Sequence, residues 1–179
     1  MYLSVRPRRL RRNETLRRLT RETRVSVDNL VLPLFVREEA HACKAITSMP
    51  GQYQWGLAEV ADAAARAADT GIPAVLLFGI PAHKDAEGSS AWKRDSVVCR
   101  AVEAIKQRSP GLCVITDVCL CEYTDHGHCG LLHQNRDGIT DVNNDATVEV
   151  LVKEALAHAG AGADIVAPSD MMDGRVFAL

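Results

Sequence analysis

Cys113-Val-Ile-Thr-Asp-Val-Cys-Leu-Cys121 begins as a short run rich in Val and Ile and ends in an acid and two thiols. Residues 113–118 have the length and β-branched content of a buried parallel strand. Three more runs of this kind occur at 31–36, 74–78 and 164–167. Stretches of helical character lie between them: 57–69, whose alanines favour helix; 96–107, with Val97, Ala101, Ala104 and Ile105 at helical spacing; and 147–159. Gly71, Pro110 and Gly160 are predicted to end these helices. Strand and helix alternate, which argues for a parallel α/β sheet with right-handed crossovers. No linker, repeat or low-complexity segment interrupts the pattern beyond an arginine-rich start.

A doubly wound sheet and a (β/α)8 barrel both begin in this order, and both place sites at the carboxyl ends of their strands. Polar or reactive residues stand there: Phe78-Gly79, Asp117 through Cys121, and Ser169-Asp170. The first strand is not followed by a Gly-rich phosphate loop, so the usual support for a dinucleotide fold is missing and the reading favours the barrel. A full barrel takes roughly 250 residues, and four strand–helix units amount to half of one. The expected division is an arginine-rich arm over 1–28 and the first half of a (β/α)8 barrel over 29–179.

Composition agrees with a folded α/β chain. With 47% hydrophobic and 25% charged residues, 179 residues can bury a core, which excludes a disordered chain. The apolar runs are broken by Pro and Gly well short of the roughly 20 residues a membrane helix needs. Residues 1–12 carry arginines without the apolar core of a secretory signal, so a cytoplasmic location is expected, with no membrane partner. Arg6, Arg8, Arg9, Arg11, Arg12, Arg17, Arg18, Arg21 and Arg24 crowd the opening although the net charge is only −2. Charge alone allows a nucleic-acid arm, and a mitochondrial targeting peptide is weakened by Glu14 and Glu22. A polar arm gripping another subunit needs no further assumption and is the favoured reading, with no nucleic-acid partner.

The chemistry is concentrated in Asp117-Val-Cys-Leu-Cys-Glu-Tyr-Thr-Asp-His-Gly-His-Cys129. Cys119 and Cys121 bracket one residue at a strand end, where extended backbone sends both thiols to the same side, and a loop returns Cys129 to them. Three thiolates leave a tetrahedral Zn2+ one open position, the pattern of a catalytic site. His126 and His128 are candidates to fill that position or to steer a ligand by hydrogen bonds. Buried structural cysteines or a redox pair are the alternative, but Cys-x-Cys with a third Cys beside His-Gly-His favours metal. Cys43, Cys99 and Cys113 have no such partners and read as ordinary reduced thiols.

Two long stretches, taken in order, resemble the zinc loop and the fourth strand of the porphobilinogen synthase (5-aminolevulinate dehydratase) family. The first comprises Asp117-Val-Cys-Leu-Cys, Tyr123-Thr124 and His126-Gly-His-Cys-Gly130, and the second is Val166-Ala-Pro-Ser-Asp-Met-Met-Asp-Gly-Arg-Val176. Similarity continues through Arg8-Arg-Leu-Arg11, Leu32-Pro-Leu-Phe-Val36, Ser48-Met-Pro-Gly51, Leu77-Phe-Gly79 and Lys84-Asp85, and so covers nearly the whole chain.

The resemblance implies a (β/α)8 barrel with an amino-terminal arm, usually a homo-octamer. It also implies a hydro-lyase that condenses two 5-aminolevulinate molecules to porphobilinogen with loss of two waters, in tetrapyrrole and heme biosynthesis. In zinc-dependent members three cysteines hold the catalytic Zn2+, and Cys119, Cys121 and Cys129 occupy all three positions. His128 matches a position that in some members binds a second, non-catalytic zinc, whose cysteine partner would lie beyond Leu179. Mg2+ serves other members, and no site for it is readable here. Asp117, Ser169 and Asp170 match active-site positions that orient substrate groups or handle protons. Read without the resemblance, a catalytic role is matched evenly by a plainer one, in which Asp117 bonds a loop, Ser169-Asp170 caps a helix starting near Met171, and Arg175 is a solvated charge.

The family also uses two Schiff-base lysines on later strands, and none of Lys44, Lys84, Lys93, Lys106 and Lys153 stands in a matching strand-end motif. The chain is therefore expected to be the amino-terminal part of a longer protein and to be inactive at this length. Two other classes stay open: a non-catalytic zinc-binding half-barrel or assembly module, and an arginine-armed nucleic-acid binder, whose binding would fall steeply with salt.

Overall fold

Four successive parallel strands make up the centre and one edge of a six-stranded main sheet in the computed structural model, which describes residues 4–179. They are β1 (Val31–Arg37), β4 (Ala74–Ile80), β5 (Cys113–Val118) and β8 (Ile165–Pro168). Neighbours in the sheet are also successive in the chain: β1 pairs with β4 from Val31↔Ala74 to Arg37↔Ile80, β4 with β5 from Ala74↔Cys113 to Leu77↔Thr116, and β5 with β8 from Ile115↔Ile165 to Val118↔Pro168. Each strand is thus added on the same side of the last. A doubly wound sheet reverses direction after its first strands, whereas a (β/α)8 barrel keeps one direction throughout. The architecture is a partial (β/α)8 barrel, as the sequence leads one to expect.

The crossover helices are α2 (Leu57–Asp69), α3 (Val97–Arg108) and α4 (Asn144–Gly160). The Ser96 side chain caps α3 by accepting the Cys99 N–H at 3.2 Å, and the Asn143 side chain caps α4 by accepting the Ala146 N–H at 3.3 Å. That Asn143 cap starts α4 three residues ahead of the expected 147. At the other end Gly160 lies inside the helix rather than terminating it. The left-handed residue there is Gly162, at φ +102°, and it releases the chain toward β8. Gly71, at φ +87°, ends α2 as expected. Leu34, Val36, Val75, Leu77 and Val114 of the strands pack against Val60, Ala64, Val98 and Val102 of α2 and α3, which forms the larger of two cores.

Two antiparallel elements were not legible as strands. β2 (Cys43–Ala45) pairs with β3 (Tyr53–Trp55), which joins the free edge of β1, and β6 (Leu132–Gln134) pairs with β7 (Thr140–Val142). Each is three residues long and without a buried residue, too short to show a periodicity. Of the arm, residues 1–3 lie outside the described residues. The remainder, through a 3-10 turn (Pro7–Arg11) and α1 (Glu14–Thr20), contains no buried side chain up to Leu30. Among the described residues no helix is long and apolar enough to cross a membrane.

Gly79, near the end of β4, has no room for a side chain. A Cβ there would stand 2.5 Å from the Tyr123 hydroxyl and 2.6 Å from Val98 Cγ2. Gly79→Ala is expected to destabilise the chain by about 1–3 kcal/mol, as overpacking of a filled site does. The measurement is the urea midpoint at unchanged m-value.

Candidate metal centre

β5 ends at Val118, and the chain then curls instead of continuing as extended strand. The N–H groups of Tyr123 and Thr124 both donate to the Leu120 carbonyl at 2.9 Å, which makes a tight turn. This replaces the extended geometry expected for Cys119 and Cys121. Their sulfurs still meet, 3.3 Å apart.

The returning loop is anchored on the segment after β4. Asp125 donates its N–H to the Asp85 carbonyl at 3.1 Å, His126 Nε2 meets the Ala86 carbonyl at 3.1 Å, and Thr124 Oγ1 donates to the His128 carbonyl at 2.9 Å. Gly127 supplies the left-handed bend at φ +75°. Cys129 is delivered so that its sulfur and those of Cys119 and Cys121 lie within 4.8 Å of one another. In a tetrahedral zinc site with Zn–S of about 2.3 Å the sulfurs stand about 3.8 Å apart, so the observed spread brackets what the metal requires. All six cysteines are free thiols.

Burial and mutual hydrogen bonding set the protonation of the three. The hydrogen bond Cys119 donates to Cys121, followed by burial, pushes the Cys119 thiol far up. Accepting that bond pulls Cys121 down, while burial pushes Cys129 up to about 11. Cys119 and Cys129 therefore hold their protons near neutral pH in the metal-free triad, and a cation must displace them to bind. Three converging sulfurs, with Cys119 almost fully buried, form a donor set suited to zinc and poor for magnesium, which takes oxygen ligands.

The histidines stand apart from this cluster. His126 uses both ring nitrogens, Nε2 on the Ala86 carbonyl and Nδ1 as acceptor of the His128 N–H at 3.1 Å. His128 is exposed, its ring tilted 42° against that of His126 with centroids 5.6 Å apart. Neither ring joins the three sulfurs.

The remaining sequence-derived residues gather at the same strand ends. Asp117 is buried, and loss of solvent raises its carboxyl; contact with the Ser169 hydroxyl opposes the shift, and the Asp170 charge adds to it. Ser169 is held beside β5 by its N–H to the Val118 carbonyl at 3.3 Å and exposes its side chain. Asp170 is buried and accepts the Met172 N–H at 2.7 Å. Its second oxygen lies 3.1 Å from Arg175 Nε, an ion pair without the alignment of a hydrogen bond. No helix starts near Met171: the chain runs as turns to Gly174, and α5 (Arg175–Ala178) begins there. The helix-cap reading of Ser169-Asp170 is thereby corrected. Arg175 is not a solvated charge either, since Nη1 also donates to the Met172 carbonyl at 2.8 Å and ties the loop together.

Two acids at this end escaped the sequence reading. Glu122 follows the second thiol, and burial, with the Asp117 charge second, pushes it up to about 8. Glu154 lies fully buried on α4. Nothing in the sequence marks Glu122. For Glu154 a signal exists, because the spacing of Thr147, Val150, Leu151, Glu154, Ala155 and His158 puts the acid on the buried stripe of the helix.

Known proteins match this chain throughout its length. The family model described as delta-aminolevulinic acid dehydratase matches residues 4–179. Curated relatives named delta-aminolevulinic acid dehydratase include one from Ruminiclostridium josui, 51% identical over 174 residues, covering 97% of this chain and 82% of that protein. The Synechocystis relative is 48% identical over 179 residues, 100% of this chain and 54% of its own length, and the Escherichia coli relative is 46% identical over 174 residues, 97% and 52%. Apart from the first, the chain spans about half the length of these relatives. A crystal structure of the Toxoplasma gondii delta-aminolevulinic acid dehydratase (porphobilinogen synthase), in complex with the reaction product porphobilinogen, superposes with a TM-score of 0.90 at 37% identity, over 98% of this chain and 49% of that one. Fold, strand-end site and sequence agree: the chain belongs to the delta-aminolevulinic acid dehydratase family.

Proposed function

We propose that this chain carries the zinc-binding half of a porphobilinogen synthase, a hydro-lyase that joins two molecules of 5-aminolevulinate with loss of two waters. The observation that carries this reading is the convergence of Cys119, Cys121 and Cys129 beside Asp117 at the carboxyl end of β5, in a chain of this family. When bound, Zn2+ supplies a Lewis acid with one open position for a substrate oxygen or water. The protein does the rest. Asp117, whose carboxyl burial raises above its ordinary range, is placed to hold or pass a proton beside the thiols. Ser169 presents a hydroxyl to the substrate side, and Asp170, fastened to the Met172 amide and to Arg175, fixes the loop that borders the site. His128 is assigned no ligand role at this triad. A second zinc at that position, and any Mg2+, would require residues beyond those that meet here.

The arm over 1–28 is proposed to pack on another copy of the chain in a homo-octamer built on the barrel of 29–179. Val5, Leu19 and Val25 are more than 70% exposed and lack an intramolecular core to join. A cytoplasmic setting suits six free thiols.

The test is metal content. The chain is expected to retain about one zinc after dialysis at neutral pH, and the triple variant Cys119→Ala, Cys121→Ala, Cys129→Ala is expected to retain none. Because the Cys119 and Cys129 thiols lie above their ordinary range, binding must release protons and occupancy is expected to fall as pH drops. Zinc retained unchanged by the triple variant rejects the assignment.

A further inference from the structure

Cys119 and Cys121 stand at the end of β5, whereas Cys129 arrives on a loop, so the triad closes only where that loop is fixed relative to the strand. Upstream of Cys129 the His128 carbonyl is held by the Thr124 hydroxyl. Downstream the chain meets the first turn of α4. There the Thr147 hydroxyl accepts the Leu131 N–H at 2.9 Å, and the Asn143 N–H donates to the Leu131 carbonyl at 2.7 Å. Both backbone groups of Leu131 are thus bound to one helix end. Gly130 lies directly on the same side chain, since a Cβ there would stand 2.5 Å from Thr147 Oγ1 and 2.7 Å from Thr147 Cγ2. Thr147 itself is fully buried, and its hydroxyl donates to the Asn143 carbonyl at 2.6 Å, the back-bond a threonine can make within a helix. That bond uses only the hydroxyl proton. The lone pair taken by Leu131 serves nothing in the helix and reaches the chain two residues past the third thiol. Farther along α4, Leu151 and Ala155 share the second core with Val118 and Leu120, the neighbours of Cys119, and Cys129 and Leu131 pack against that core. One helix therefore braces the strand end and the loop together.

We propose that Thr147 is a positioning residue for the metal site: by accepting the Leu131 N–H it sets where the Cys129 sulfur stands relative to the two thiols at the end of β5. The inference rests on the zinc reading above. A ligand carried by a loop has the most freedom of the three, and an acceptor on a rigid helix removes it. Without the hydroxyl the Leu131 N–H is left unpaired, a cost the chain can relieve only by moving toward another acceptor. Such a move carries Cys129 with it. Val keeps the shape of Thr147 and loses the hydroxyl, while Ser keeps the hydroxyl and loses the methyl group.

The experiment is a titration of the metal-free chain with cobalt(II), read by the thiolate-to-cobalt charge-transfer band, for wild type, T147V and T147S. Far-UV circular dichroism and the urea midpoint verify that each variant is folded. T147S is expected to bind as wild type does and T147V about tenfold or more weakly, the loss typical of removing a group that orients a metal ligand. A role in the fold alone would lower the urea midpoint of T147V and leave its affinity unchanged, and that result overturns the inference. T147S weakened as much as T147V overturns it too, because the hydroxyl is then not what acts. Both results leave the zinc reading intact. Absence of the band in wild type removes the zinc reading and this proposal with it. Should T147V fail to fold, amide hydrogen exchange of Leu131 in the wild type decides, since a bond that favours metal binding is favoured by the metal to the same extent. Exchange about tenfold or more slower in the zinc-loaded chain than in the metal-free chain is expected. An unchanged rate overturns the inference.

Discussion

Incubated with 5-aminolevulinate at any zinc concentration, the 179-residue chain is expected to form no porphobilinogen and, under borohydride, to retain no substrate adduct. A metal can polarise a carbonyl, but it cannot replace an amine that condenses with a ketone and turns it into an electron sink. A lysine becomes such a nucleophile when it is desolvated or crowded by another cation. Lys44, Lys84, Lys93 and Lys153 are all exposed. Lys106 is partly buried, but its ammonium is engaged by Asp164 at 2.9 Å and by the carbonyls of Pro110 and Leu112 at 3.3 Å. Lys84, in the segment after β4, is near enough to Glu122 for its charge to oppose the rise that burial gives that carboxyl, but it is neither desolvated nor crowded by a second cation. β8 adds a second obstacle, because Ile165 is 48% exposed and β5 is the only strand paired with β8 among the described residues. An open edge of this kind favours association over an ordered site. Product formation, or an adduct on any of the five lysines, would show that this part of the barrel carries its own nucleophile.

In a complete enzyme containing this sequence, Cys119→Ala is expected to lower turnover by on the order of 10²- to 10³-fold, the size of loss that follows removal of a group stabilising charge in the transition state. Cys43→Ala is expected to leave turnover within about twofold, as surface changes do. The contrast is geometric. Cys119 is nearly fully buried and shares its proton with Cys121, whereas Cys43 lies exposed in the short β2 strand, on the far edge of the sheet. The two variants together separate a metal ligand from a thiol that merely happens to be present. Equal losses would contradict the roles assigned here.

The four long strands of the main sheet were legible because they are continuous apolar runs of a length buried parallel strands take, and because Gly71 and Pro110 mark helix ends in the chain itself. Strand order was not legible in that way. It emerges from the pairings of β1, β4, β5 and β8, which residues far apart in sequence decide. The thiol triad was readable from its spacing, but for a geometric reason that does not hold: a turn at Leu120, not an extended strand, brings Cys119 and Cys121 together. His126 looked like a ligand by residue type alone, and its two nitrogens turn out to tie down the loop. Glu154 was missed as a buried acid because a Glu in a helix is solvated by default, and only its register with Val150 and Leu151 reveals that it is not.

Zinc K-edge X-ray absorption on the loaded chain tests the central claim most directly, since it counts the atoms around the metal. The account predicts three sulfur neighbours at about 2.3 Å and one lighter atom, oxygen or nitrogen, at about 2.0–2.2 Å, with the sulfur shell depleted in Cys119→Ala. A first shell of oxygen and nitrogen alone, or a sulfur shell unchanged by that substitution, would contradict it.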